Sequence, residues 1–201
     1  MILLVNGPNL NLLGERETGV FGTETLADVE RRVSEACRAY GVEVRAFQSN
    51  GEGALIDFIQ EHRHAAQGLI LNPGALAHTS RALADCVAAL SCPTVVVHLS
   101  NIDARARERG KSLLAPVALG QITGLGLLGY YYAALHLCTL LSRAAEEGER
   151  AGAASWQEAL ARARPSPVRM PTPAGSGVAI PPEPDEEVPE DLTARGEYEP
   201  L

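Results

Sequence analysis

The sequence predicts an α/β domain built on a five-stranded parallel sheet. Three observations carry that expectation: five short aliphatic runs bounded by Gly, Pro, Asn or Ser, helical patterns between them, and polar residues where the runs end. The first run, Ile2–Val5, leads into a Gly-Pro turn. Thr25–Tyr40 follows with Leu26, Val29, Val33 and Cys37 on one helical face, and Val42–Phe47 is the second strand. Ala54–His64 reads as a helix, Gly68–Leu71 as a strand, Ser80–Leu90 as a helix and Thr94–Leu99 as a strand. Val117–Ile122 is the fifth strand and Leu125–Glu146 the longest helix. Such aliphatic runs suit strands buried on both faces, because the crossovers of a parallel sheet cover both.

In parallel sheets ligands gather outside the carboxyl ends of the strands. Four of these ends carry polar groups: Asn6-Gly-Pro-Asn9, Gln48-Ser-Asn50, Asn72-Pro-Gly74 and His98-Leu-Ser-Asn101. Any one of them reads equally as a loop satisfying its own backbone. Four on one rim point to a site for a polar small molecule.

Composition bounds the function. With 201 residues, 46% apolar and 21% charged, the chain suits one soluble domain with an appendage. It has no run of about 18 apolar residues, and its first residues lack the charged start and cleavage site of a signal peptide, so a cytoplasmic protein without membrane contact is expected. Cys37, Cys86, Cys92 and Cys138 form no Cys-x-x-Cys pair and fall in or beside apolar stretches, which favours buried free thiols over disulfides or a metal site. Residues 1–148 make the predicted domain. Residues 149–201 are an extension, a short helix over Ala153–Arg164 and then a tail holding nine of the thirteen prolines. Between Pro165 and Leu201 eight acids face only Arg169 and Arg195, so most of the net charge of −8 sits there. The near-neutral body lacks the basic face that nucleic-acid binding requires. The single lysine, Lys111, lies beside Gly110 in a polar loop, poorly placed for Schiff-base chemistry. The tail cannot build a core alone and is expected to run extended over the body or a neighbouring subunit.

From Asn6-Gly-Pro-Asn-Leu-Asn-Leu-Leu-Gly-Glu-Arg-Glu17 onward the sequence resembles the type II 3-dehydroquinases, the 3-dehydroquinate dehydratases of the shikimate and quinate pathways. The likeness continues through Gln48-Ser-Asn-Gly-Glu-Gly-Ala-Leu-Ile-Asp57, Asn72-Pro-Gly-Ala-Leu-Ala-His-Thr-Ser80, Val97-His-Leu-Ser-Asn101 and Gly124-Leu-Gly-Leu-Leu-Gly-Tyr130, in the family's order and spacing. It spans nearly all of residues 1–146. The resemblance implies a flavodoxin-like three-layer sandwich of strand order 2-1-3-4-5, assembled through trimers into a dodecamer. It also implies a lyase that removes water in anti fashion from a cyclic β-hydroxy ketone, through an enolate-like intermediate, without cofactor or metal. By motif position, His98 matches the general acid, Asn9 helps hold the enolate-stabilising water, and Arg16 is the lid arginine. Asn72, His78, Ser100, Arg109 and the backbone N–H of Leu99 match the groups that bind the substrate's carboxylate and hydroxyls. Arg105 and Asp85 match further polar groups, the latter reaching an adjacent subunit in the family.

Departures from the family pattern bear on the chemistry. Five residues after the lid arginine the family has the tyrosine whose phenolate is the base, and this chain has Phe21. The glutamate two residues before the histidine is Val96, Asp103 stands where histidine is frequent, and Ala77 where threonine is. Three readings follow. The chain is a dehydroquinate dehydratase with another proton acceptor, a repurposed enzyme for a different carbocyclic or β-hydroxy-carbonyl substrate, or a non-catalytic homologue.

Overall fold

The computed structural model describes residues 1–15, 23–102 and 111–151, all within the compact unit Met1–Arg164. The short helix expected over Ala153–Arg164 and the proline-rich tail lie outside the described residues. The elements in chain order are β1 (Ile2–Asn6), a 3-10 turn (Leu10–Leu12), α1 (Leu26–Arg38), β2 (Val44–Gln48), α2 (Glu52–His62), β3 (Gly68–Asn72), α3 (Leu76–Thr79), α4 (Arg81–Ala88), β4 (Thr94–His98), β5 (Gly120–Thr123) and α5 (Leu128–Ala151). All pairings are parallel, and the strand order is β2-β1-β3-β4-β5, as expected.

Helices cover both faces, giving three layers. On one face Ile2, Leu4, Ile70 and Val97 pack with Val29 and Val33 of α1 and Tyr130 and Leu137 of α5. On the other, Leu3, Val5, Leu71 and Val96 pack with Leu55 and Ile59 of α2 and Leu83 of α4. Alternate residues of each strand thus serve different layers, which is why the central runs are aliphatic throughout. One expectation is corrected. Only β1, β3 and β4 are buried along their whole length, whereas β2 and β5 are partly exposed. They are the sheet's edges, and each has a neighbour on one side only.

The boundaries follow from local hydrogen bonds. α1 begins with a capping box: Thr25 Oγ1 accepts from the Asp28 N–H, and Asp28 Oδ2 accepts from the Thr25 N–H. It ends in a Schellman motif, in which Gly41 at φ 69° donates to Arg38 O and Val42 donates to Cys37 O. That motif uses Val42, so β2 starts two residues later than the apolar run suggests. Likewise Val117 and Ala118 donate back to Leu114 O in a turn, and β5 starts only at Gly120. All four cysteines are buried thiols outside any disulfide, Cys37 and Cys138 in the α1–α5 layer and Cys86 and Cys92 in the α2–α4 layer. Among the described residues no helix is long and apolar enough to cross a membrane.

Candidate active site

The carboxyl ends of the strands meet on one edge of the sheet. Gln48, Asn6 and Asn72 lie in register across β2, β1 and β3, so three side-chain amides form a row. β4 pairs with β3 through Leu71 and Val96, which brings His98 to the same edge one residue beyond Asn72. The close approach of β1 and β3 depends on Gly7, whose N–H donates to Asn72 O and where a Cβ would meet Pro73 O at 2.6 Å. From this turn Asn9 enters the left-handed region at φ 67°, a conformation asparagine tolerates better than most residues. Its N–H donates to Asn50 Oδ1 at 2.9 Å, and Gln48 Nε2 reaches Asn50 Oδ1 at 3.1 Å and Gly7 O at 3.2 Å. These bonds tie the β1 and β2 loops into one rim.

Behind the rim lies a buried polar chain. Gly74 N–H donates to Asn72 Oδ1 at 3.2 Å, Asn72 Nδ2 donates to the Tyr130 hydroxyl at 2.8 Å, and that hydroxyl donates to Asn6 Oδ1 at 2.6 Å. Tyr130 is fully buried, and burial pushes its phenol pKa above the ordinary value, so the group stays protonated. It reaches the asparagines because α5 starts close against the sheet: at Gly129 a Cβ would meet Val97 Cγ1 at 3.2 Å and Ile122 Cγ2 at 3.3 Å. Gly124 and Gly126, both at positive φ, donate to His98 O and Leu99 O and latch the turn before α5 to the end of β4.

The structure brings Asn9, Asn72, His98, Leu99 and Ser100 to the rim as the sequence suggested, with two refinements. His98, 5% exposed, shares its sheet face with Val96 and so leaves the strand on the α2–α4 side, whereas Asn6 and Asn72 face α1 and α5. Asn72 is 2% exposed and already spends hydrogen-bonding capacity on Tyr130 and Gly74. Val96 is wholly buried among apolar side chains, so nothing acidic at position 96 accompanies the imidazole. His78 sits in α3 beside buried Ala77, and its Nδ1 is buried without a hydrogen-bond partner among the described residues. Asp85 is on the exposed side of α4, away from the core. Arg16, Phe21, Asp103, Arg105 and Arg109 lie outside the described residues. Tyr130 is the residue that reasoning from the sequence assigned no role. The signal was a tyrosine on the apolar face of a helix, since a buried phenol nearly always finds a polar partner.

A 2-1-3-4-5 parallel sheet between two helical layers, with amides and a histidine along its carboxyl edge, defines a flavodoxin-like α/β protein with a rim suited to a small polar ligand. The family model described as Dehydroquinase class II matches residues 1–138. The chain belongs to that family. It is 54% identical over 129 residues to the 3-dehydroquinate dehydratase of Bacillus licheniformis, covering 64% of this chain and 89% of that protein, and 52% identical over 130 residues to that of Alkalilimnicola ehrlichii, covering 64% and 86%. Among solved structures, the type II dehydroquinase of Butyrivibrio crossotus is similar with a TM-score of 0.65 at 43% identity, covering 68% of this chain and 95% of that one. A 3-dehydroquinate dehydratase-like protein from Bifidobacterium longum is similar with a TM-score of 0.53 at 28% identity, covering 70% and 97%.

Proposed function

We propose that this chain is a hydro-lyase that removes water from 3-dehydroquinate. The observation that carries the reading is the buried His98 ending β4 on the same edge as the amide row of Gln48, Asn6 and Asn72. Loss of the proton alpha to the ketone generates an enolate, and amide and backbone donors on that rim suit an oxyanion and its bound water. Asn9 helps hold the water, and His98 gives a proton to the departing hydroxyl. Asn72, His78, Ser100, the Leu99 N–H, Arg105 and Arg109 bind the carboxylate and ring hydroxyls, and Asp85 belongs to a subunit contact. With Phe21 where the family has its tyrosine, the proton acceptor is a hydroxide from solvent stabilised by the Arg16 guanidinium, which becomes water on taking the proton, and the rate is low for the family. We place the protein in the cytoplasm, in a trimer-based dodecamer.

The product is a conjugated enone carboxylate, so ultraviolet absorbance on mixing purified protein with 3-dehydroquinate tests the reading directly. A slow, enzyme-dependent rise is expected. Phe21→Tyr should raise the rate by orders of magnitude, because it restores the ionisable group that the family carries five residues after its lid arginine. No absorbance change from the wild type would sink the reading and leave a different β-hydroxy-carbonyl substrate or a non-catalytic role.

A further inference from the structure

We propose that Tyr130 is a positioning residue for this reaction: its hydroxyl, held between Asn6 and Asn72, fixes the orientation in which the Asn72 amide meets the substrate. The inference rests on the reading of Asn72 as a substrate-binding group.

The direction of the buried chain is set by its first member. A backbone N–H can only donate, so the Asn72 atom facing Gly74 N at 3.2 Å is the amide oxygen. Nδ2 is then the atom that donates to the Tyr130 oxygen at 2.8 Å. Having accepted there, the phenol turns its hydrogen to Asn6 Oδ1 at 2.6 Å. Every link runs in the same sense, and reversing the Asn72 amide would set Nδ2 against the Gly74 N–H and its oxygen against the Tyr130 oxygen. The phenol has to change its bonds before the amide can turn. Asn72 is left with one N–H and one lone pair, in fixed places, for other partners.

The start of α5 gives Tyr130 a second connection to the rim. The turn that presents it is latched by Gly124 and Gly126 to the carbonyls of His98 and Leu99, and Gly129 lets the helix lie against Val97. One short segment, Gly124–Tyr130, therefore registers the ends of β1, β3 and β4 against one another. Without the hydroxyl, the ring, the latch and the Gly74 N–H bond remain, while the Nδ2 end of the Asn72 amide loses the partner that holds it and Asn6 Oδ1 loses its donor. A ligand group meeting an amide held only by the Gly74 N–H makes a weaker hydrogen bond in the ground and transition states alike, which raises KM and spares kcat.

The test is a double-mutant cycle of Tyr130→Phe and Asn72→Ala, with 3-dehydroquinate as substrate and thermal melts to confirm folding. Tyr130→Phe is expected to raise KM about 5- to 10-fold with kcat within about twofold, and to add nothing to Asn72→Ala. An unchanged KM, a fall in kcat instead, or the same loss in both backgrounds would overturn the proposal. If Tyr130→Phe does not fold, the wild type decides it by nuclear magnetic resonance: the Asn72 side-chain N–H that meets the phenol is expected to exchange far more slowly than a free amide, and exchange at the free rate would overturn the proposal. If the wild type does not turn over 3-dehydroquinate, it is the functional reading that fails. Hydrogen exchange of the Asn72 side-chain amide, followed by nuclear magnetic resonance without substrate, then decides the positioning: faster exchange in Tyr130→Phe supports it, and unchanged exchange overturns it.

Discussion

At Gly7 the absence of one carbon governs the spacing of two strand ends. A Cβ would lie 2.6 Å from Pro73 O, a backbone atom that cannot swing aside. Gly7→Ala should therefore cost more than about 1 kcal/mol, in the range of overpacked sites, with the loss read from urea unfolding. Activity should fall further than stability alone explains, because Asn6 and Asn72 would move apart. Much of the rim was legible in the sequence at this level. Asn6, Gln48, Asn72 and His98 each close an aliphatic run, and a run's end is where a buried strand meets the sheet's edge. What could not be read was the opposite facing of His98 and Asn72, which depends on how β3 and β4 are staggered, nor the phenol of Tyr130, which comes from 58 residues beyond Asn72. Pairings across such distances leave no local periodicity behind.

The start of α1 shows how an element's edge responds to solution conditions. Asp28 accepts hydrogen bonds from Arg31 and from both the side chain and backbone of Thr25, and these hold its carboxyl at about 2 instead of the ordinary 3.8. A lowered folded-state pKa means that the stabilisation is complete above the ordinary value and lost as pH falls from about 4 towards 2. Asp28→Asn should be less stable than the wild type at neutral pH, and the gap should close across that window in acid titrations followed by circular dichroism. The existence of every strand and every long helix was readable from apolar spacing, while their limits were not. Val42 and Val117 look like strand residues by composition, yet their N–H groups are engaged by a helix cap and by a turn, and backbone partners outrank side-chain propensity at element ends.

Across the sheet, the edges β2 and β5 are the places where the fold is least closed. Exposed edges are a liability that proteins cover or blunt. The trimer-based dodecamer proposed above is checked by its mass. Light scattering at micromolar concentration should report about twelve times the 21.3 kDa of one chain, and a value near a single chain would count against the assembly. Sheet order and layering followed from sequence resemblance and strand–helix alternation. The partial exposure of β2 and β5 did not, since an aliphatic run looks alike at a sheet's centre and at an edge that another subunit could cover.

The partition of the cysteines gives each layer its own chemical clock. Cys37 and Cys138 are sealed under α1 and α5, Cys86 and Cys92 under α2 and α4, and burial pushes the Cys86 thiol above its ordinary pKa, so it resists alkylation while folded. A thiol reagent added under native conditions can enter only when a layer lifts away. The order in which the two pairs react, read by mass spectrometry of the modified peptides, thus tells whether the sandwich opens one leaf at a time or comes apart in a single step.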